Sequence, residues 1–237
     1  MKSIFLTVIL VFSVFVILPA QENTRLNFKD ATGKKQGKWI RTDSAGKKVY
    51  EGTFTDDHPT GVFNYYYGDG ILKATLDYRN NGRIAYASLF NDKGKLIARG
   101  KYTNGIKDSL WTYFSEYDGK PVSDESYLNG RKEGVEHIFY AGKGVSEIIT
   151  WKDGKREGPW EQYYPDGKFK MKCAYREDLK QGPYGFYEND GSQTISGEYS
   201  DGLSEGKWQY FSVDGKLLKN EYFEEGKLIR TEEFDAP

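Results

Sequence analysis

Apolar and polar residues alternate with a period of two along several stretches of the chain. In residues 169–175 every second side chain is apolar or aromatic, and two lysines, Lys170 and Lys172, stand between them. Residues 72–78 follow the same pattern. A period of two is typical of a β-strand that has one more apolar face. The pattern therefore predicts strands at these positions.

Turn signals separate the predicted strands. Residues 206–226 read GKWQYFSVDGKLLKNEYFEEG, in which two aromatic-rich segments flank Asp214-Gly215-Lys216. This arrangement predicts a β-hairpin. Residues 165–168, Pro-Asp-Gly-Lys, fit a type I turn followed by a bulge, since glycine tolerates a positive φ. We therefore expect positive φ at Gly167 and Gly215.

The same spacing recurs along the whole chain. The opening glycine of each unit lies 24 residues from the next, and 25 residues in one case. The eight opening positions are Gly37, Gly61, Ala85, Ser109, Gly134, Gly158, Gly182 and Gly206. A fixed period of this length indicates a repeat architecture. The predicted fold is all-β: tandem β-hairpin repeats, about eight units of 24 residues, stacked into one elongated, twisted antiparallel sheet without helix.

The repeat pattern and the N-terminus together divide the chain into four parts. We expect a signal peptide at residues 1–20, an N-terminal half-repeat cap at 21–36, eight hairpin repeats at 37–226 and a C-terminal cap strand at 227–237. Terminal caps are expected because a repeat stack must cover its edges.

Three units depart from the pattern. Unit three has Ala85 in the glycine position and Ala87 in the position of the first aromatic residue, and unit five has Glu136 in that aromatic position. Unit four has one extra residue before its turn. Because aromatic pairs between strands stabilise a sheet, units three and five are predicted to be its least stable parts.

A glycine precedes the closing aromatic residue of three units by two positions, at Gly52, Gly100 and Gly197. A glycine inside a strand often marks a close approach by a large neighbour. We expect a tryptophan from a neighbouring strand to lie over each of these glycines.

The N-terminus indicates export. An almost unbroken apolar run extends from Ile4 to Leu18, which is short for a membrane span of about 20 residues but suits a signal peptide. Cleavage is expected after Ala20, and the alternative is an uncleaved membrane anchor. Either interpretation places the repeats outside the cytoplasm, in the periplasm or secreted. The single cysteine, Cys173, is far from the cleavage site, so lipidation there is excluded.

Charge and composition exclude one class of partner. Without Lys2, which leaves with the signal peptide, 33 basic residues face 35 acidic ones, and neither sign forms blocks. Nucleic-acid binding requires a basic patch, so it is not expected.

No catalytic or metal-binding motif is present. His58 and His137 lack the spacing of zinc ligands, and Cys173 alternates with apolar residues, as a buried unreactive thiol does. Each Asp-Gly turn supplies one carboxylate, whereas calcium needs about six oxygen ligands. We expect no cofactor and no metal, with an enzyme hidden in the irregular units three to five as the least favoured alternative.

Residues 127–134 (YLNGRKEG), 151–168 (WKDGKREGPWEQYYPDGK) and 199–217 (YSDGLSEGKWQYFSVDGKL) resemble variant MORN repeats. From about residue 28 to 234 the chain is similar to the YwqK-type antitoxin family of bacterial repeat proteins. The resemblance implies stacked hairpins that act as a scaffold or contact surface, and it supplies no catalytic residues. An antitoxin that acts inside the cell is not expected to carry a signal peptide.

One aromatic residue per unit forms a column along the predicted sheet: Trp39, Phe63, Trp111, Trp160, Tyr184 and Trp208. Such a column can hold adjacent hairpins together, or it can bind a partner. The leading functional hypothesis is a non-enzymatic binding or scaffold protein with a protein partner that contacts this column. The alternatives are an antitoxin or immunity protein of a toxin system, and binding of a cell-surface glycan or peptidoglycan. Membrane contact is expected only if the N-terminal segment remains uncleaved.

Overall fold

The computed structural model describes residues 25–234, so the expected signal peptide at residues 1–20 lies outside the described residues. Within residues 25–234 the chain forms twenty β-strands and no helix, which confirms the all-β prediction. The strands are β1 (Phe28–Lys29), β2 (Lys35–Thr42), β3 (Lys48–Thr55), β4 (His58–Tyr66), β5 (Leu72–Arg79), β6 (Ile84–Phe90), β7 (Leu96–Thr103), β8 (Ile106–Phe114), β9 (Pro121–Leu128), β10 (Arg131–Lys132), β11 (Gly134–Phe139), β12 (Val145–Lys152), β13 (Lys155–Tyr163), β14 (Phe169–Arg176), β15 (Leu179–Lys180), β16 (Gly182–Tyr187), β17 (Gln193–Ser200), β18 (Leu203–Phe211), β19 (Leu217–Glu224) and β20 (Lys227–Glu233).

All the strands belong to one open, elongated and twisted antiparallel sheet. Strands that follow one another in the sequence pair with one another, and β10–β11 and β15–β16 each act as one interrupted strand against β9 and β14. At the two ends of the sheet, β1 pairs with β2 and β20 pairs with β19. The eight predicted hairpins are therefore present, and each one packs only against its neighbours along the stack.

Each hairpin closes through a short turn that ends in a left-handed glycine. In the first turn, the Gly46 amide donates to the Asp43 carbonyl at 3.1 Å, and the Asp43 amide donates to the Lys47 carbonyl at 2.9 Å. Gly167 and Gly215 have φ of 86° and 82°, which confirms the predicted turn chemistry. The extra residue of unit four enlarges its turn, where the Ser115 amide donates to the Lys120 carbonyl.

Except between units two and three, adjacent hairpins are joined by two-residue turns whose residues both have positive φ, as in the tight turns that suit the twist of a sheet. Asp201 and Gly202 have φ of 48° and 87° in one such turn. The opening glycine follows four residues later, at Gly206, and it is also left-handed, with φ of 65°. There the register shifts, because the single residue Gly197 lies opposite residues 206–208. The opening glycine therefore marks a β-bulge.

The strands that join units two and three pair without a bulge. The strands β5 and β6 pair without any shift, from Ala74↔Leu89 to Arg79↔Ile84, and residues 80–83 form a four-residue loop. Ala85 accordingly has no positive φ, whereas Ser109 in unit four keeps the left-handed φ at 59°. The longer loop takes up the two residues that the other units place in the bulge, which explains why alanine is tolerated at position 85.

Candidate functional site

The predicted aromatic column lies on one face of the sheet, here called the ring face. Three of its members are buried: Phe63, Trp111 and Trp208 have 1%, 0% and 5% of their surface exposed. Trp39, Trp160 and Tyr184 are half-buried. The column is therefore not an exposed contact surface along its length, and its three buried members contribute to packing.

The bulge at the opening glycine explains this burial. It leaves Trp208 and Gly197 without direct pairing and lays the indole over the glycine, where an added Cβ would lie 2.2 Å from the ring. Trp111 covers Gly100 in the same way, and Phe63 covers Gly52. The contacts at Gly100 and Gly197 confirm the predicted tryptophan, whereas the ring over Gly52 is a phenylalanine. Each contact also joins one hairpin to the next.

Basic side chains cover rings in five units. A lysine or arginine two residues before the opening position lies over a ring in five units, with distances of 4.1 to 5.1 Å from the charged group to a ring centroid for four of them. Lys180 lies 4.7 Å from the Tyr199 ring and 5.4 Å from the Trp160 ring. The five residues are Lys35, Lys107, Lys132, Arg156 and Lys180. Cations hold this position over aromatic faces because the ring quadrupole attracts them. A sugar or partner side chain would have to displace these cations to stack on the covered faces.

A glutamate or glutamine before the opening glycine joins adjacent hairpins at the two-residue turns. Its side chain accepts a hydrogen bond from a backbone amide 20 residues later, at the start of the next turn. The pairs are Glu133 with Asp153 (2.7 Å), Glu157 with Glu177 (2.8 Å), Gln181 with Asp201 (3.0 Å) and Glu205 with Glu225 (3.0 Å). The sequence carries the signal for this contact, a Glu or Gln before each of these glycines, but its role depends on the stacking of units.

Tyrosine hydroxyls form hydrogen bonds between adjacent hairpins at the opposite edge of the sheet, where the hairpin turns lie. A tyrosine at the start of a hairpin turn donates to the backbone carbonyl 23 residues later. The pairs are Tyr67 with Phe90 (2.9 Å), Tyr140 with Tyr163 (2.7 Å) and Tyr164 with Tyr187 (2.9 Å).

Unit five replaces the ring with a buried ionic network. Glu136 has 6% of its surface exposed and accepts hydrogen bonds from Trp151 Nε1 at 2.6 Å and from Lys132 Nζ at 3.0 Å. Lys132 also lies 3.1 Å from Glu125 Oε1. Burial alone would lower the pKa of Lys132, but its hydrogen bonds with Glu136 and Glu125 raise that pKa. The charged residue at the aromatic position is therefore satisfied by its neighbours.

The remaining candidates for chemistry have local roles. Burial raises the pKa of the free Cys173 thiol. His58 is exposed and His137 is half-buried against Phe139, with ring centroids 6.3 Å apart. Within residues 25–234 no group of three or more His, Cys, Asp or Glu side chains could hold a metal ion. The turn aspartates accept hydrogen bonds from their own turns, as Asp43 does from the Ala45 and Lys47 amides.

The face opposite the rings carries a different column. The residue after the opening position is apolar and exposed in six consecutive units. These residues, here called the apolar strip, are Val62 (56% exposed), Tyr86 (56%), Leu110 (52%), Val135 (41%), Pro159 and Pro183. A surface depression of about 720 Å³ lies among Val62, Tyr86 and Leu110. The periodicity of the strip is visible in the sequence, but its exposure is not.

No family model matches the chain, and no curated protein matches it. Among the described residues, no helix has the length and apolar character needed to cross a membrane.

Proposed function

We propose that this chain is a non-enzymatic protein-binding scaffold of the bacterial envelope and that the apolar strip is its contact surface. The observation that carries the proposal is the exposure of apolar side chains at one repeat position in six consecutive units. Single exposed apolar residues are ordinary on protein surfaces, whereas an aligned row of them is typical of an interaction site. The expected signal peptide supports the envelope location.

The spacing of the strip suits an elongated partner. Neighbouring strands lie about 4.8 Å apart, so equivalent residues of successive hairpins are roughly 10 Å apart and the six residues span about 50 Å. Extended surfaces of this kind are the usual binding sites of repeat proteins. Tyr86 and Leu110 line the depression, which offers a partner side chain a concave surface.

The decisive experiment compares two double variants. The mature chain is used to isolate a partner from an envelope extract, the partner is purified, and its affinity is measured by calorimetry. Tyr86→Ser with Leu110→Ser is expected to weaken binding by about 2 kcal/mol, roughly thirtyfold, since hot-spot residues contribute at this level. The matched control is Tyr117→Ser with Val213→Ser, which removes exposed apolar side chains outside the strip and is expected to leave the affinity unchanged.

Both variants should keep the circular dichroism spectrum and melting temperature of the unchanged protein. Equal loss of affinity in the two double variants would contradict the proposed contact surface. A purified chain that turned over a substrate would contradict the non-enzymatic role.

A further inference from the structure

The ring face has a hollow of about 500 Å³ at unit three, where the aromatic column is interrupted. Its floor includes Leu76, Ala85 and Leu89, and its walls include Tyr65, Tyr78 and Tyr102. The volume lies in the range of about 300 to 1,000 Å³ that is usual for small-ligand sites. The hollow lies on the face opposite the apolar strip, so a ligand there is independent of the proposed function.

The hollow lies beside the sequence departures of unit three. Leu76 stands where Gly52 and Gly100 stand in other units, and Ala87, its direct cross-strand partner, stands where Phe63 and Trp111 supply a ring. Ala87 is buried in a cluster with Trp111, against which Leu76 and Leu89 pack, and Ala85 lines the hollow beside the four-residue loop. Ring clusters remain on both sides, since Phe63 contacts Tyr78 and Trp111 contacts Tyr102 edge-to-face, with centroids 5.1 and 4.9 Å apart.

The charge at the hollow is positive. Arg83 and Lys73 line it, and none of its lining residues is Asp or Glu. Arg83 occupies the repeat position whose basic side chain covers a ring in five other units. Within residues 25–234 its guanidinium has no ion pair and no ring beneath it, and Arg83 is exposed. The hollow thus combines an apolar floor and aromatic walls with an unpaired guanidinium.

The tyrosine walls add hydrogen-bonding groups. The hydroxyls of Tyr65 and Tyr78 lie 3.1 Å apart. Burial raises the pKa of Tyr65 and that of Tyr102, so both phenols remain protonated at neutral pH. Aromatic walls favour edge-to-face or offset contact with a planar ring, and arginine binds a carboxylate through charge-assisted hydrogen bonds.

The geometry points to a binding site for a planar aromatic group that carries a carboxylate. The ring enters between the tyrosine walls, over Leu76, Ala85 and Leu89. The carboxylate pairs with Arg83 at the rim. The ligand thereby contacts the two kinds of group, aromatic ring and cation, that pack against each other in five other units.

The test uses indole-3-acetate as the probe and calorimetry with the full mature chain. The probe has about 13 non-hydrogen atoms, for which a dissociation constant of about 1 mM or tighter, with one site per chain, is expected. Indole-3-acetamide, which lacks the charge, and cyclohexylacetate, which lacks the aromatic ring, are each expected to bind about tenfold more weakly.

Two kinds of variant locate the site. Arg83→Gln is expected to reduce the affinity for indole-3-acetate to that for the amide, while Lys93→Gln, an exposed lysine of the same unit outside the hollow, leaves it unchanged. Ala85→Leu fills the floor and is expected to abolish binding of both indoles. Leu76→Trp fills the hollow from the neighbouring strand. It replaces Ala85→Leu in the test if circular dichroism shows that Ala85→Leu does not fold.

Absence of saturable binding would overturn the proposal. Equal affinity for all three probes would overturn the stated ligand chemistry. Unchanged affinity in Arg83→Gln, or in a folded variant with the hollow filled, would overturn the assigned location.

Discussion

Trp111 covers Gly100 so closely that a Cβ on the glycine would lie 2.1 Å from the indole ring. The indole is completely buried, and its Nε1–H donates to the Lys101 carbonyl at 3.1 Å. This pair joins unit three to unit four, and the pairs Gly52 with Phe63 and Gly197 with Trp208 do the same at other seams. The absence of a side chain on the glycine is therefore a requirement of the stack.

Gly100→Ala is expected to destabilise the protein by about 2 kcal/mol, because the added methyl group overpacks the contact with Trp111. Urea denaturation monitored by tryptophan fluorescence measures the change. Gly68→Ala is the control, since no atom lies within 4 Å of its added Cβ and its φ is not positive. An equally stable Gly100→Ala variant would show that Trp111 can move away without loss.

Glu157→Ala is expected to weaken the seam at the two-residue turn, because the Glu177 amide loses its side-chain acceptor. The loss is about 0.5 to 1 kcal/mol, since the amide lies near solvent and water replaces part of the bond. Hydrogen exchange at the Glu177 amide should become faster. Glu157→Gln keeps an acceptor oxygen and should restore protection, and the exposed Glu198→Ala should not alter it.

Lys132→Met is expected to destabilise unit five by about 3 kcal/mol, because it leaves the carboxylates of Glu125 and Glu136 together without their cation. Lys143→Met, at an exposed turn residue, is the control and should have little effect. Chemical denaturation of the two variants decides the matter. Equal midpoints would mean that water or another cation compensates for Lys132.

The same network predicts a pH dependence. Burial alone would raise the pKa of Glu125, but the hydrogen bonds from Tyr127 and Lys132 outweigh it and lower that pKa. A lowered pKa means that Glu125 binds protons less readily in the folded state. The contribution of Glu125 to the free energy of unfolding is present above the ordinary glutamate pKa of about 4.3. It is lost as the pH falls through the lower pKa of Glu125 in the folded state. Unfolding free energies measured from pH 6 to 3 should therefore fall less steeply in Glu125→Gln than in the unchanged protein.

Units three and five are predicted to exchange their amide hydrogens faster than units six to eight. Unit three has Ala87 in place of a ring, and unit five depends on the Glu136 network, so both lack the aromatic contact of the regular seams. Hydrogen exchange with peptide-level mass spectrometry compares the units in one molecule. Uniform protection along the sheet would refute the prediction, and it would show that the edge hydrogen bonds alone set the stability.

Local sequence determined the repeating hairpins. Turn glycines such as Gly167 adopt a positive φ, and strand glycines such as Gly197 leave room for a large neighbouring side chain. Both features can be recognised from a few adjacent residues. The twenty-four-residue spacing then fixes the order of strands, because each unit can bury its rings only against the next. The fold class was predictable for this reason.

The tertiary structure decided which surfaces are free. The bulge at positions such as Gly206 depends on pairing between two hairpins, and it determines that Trp208 is buried. The predicted aromatic column therefore included residues that no partner can reach, while the exposed apolar strip on the other face was missed. The loop at residues 80–83 has the same kind of origin, since it replaces a bulge that only the register between β5 and β6 reveals. Burial and register are properties of several strands together, so a pattern within one strand could not establish them.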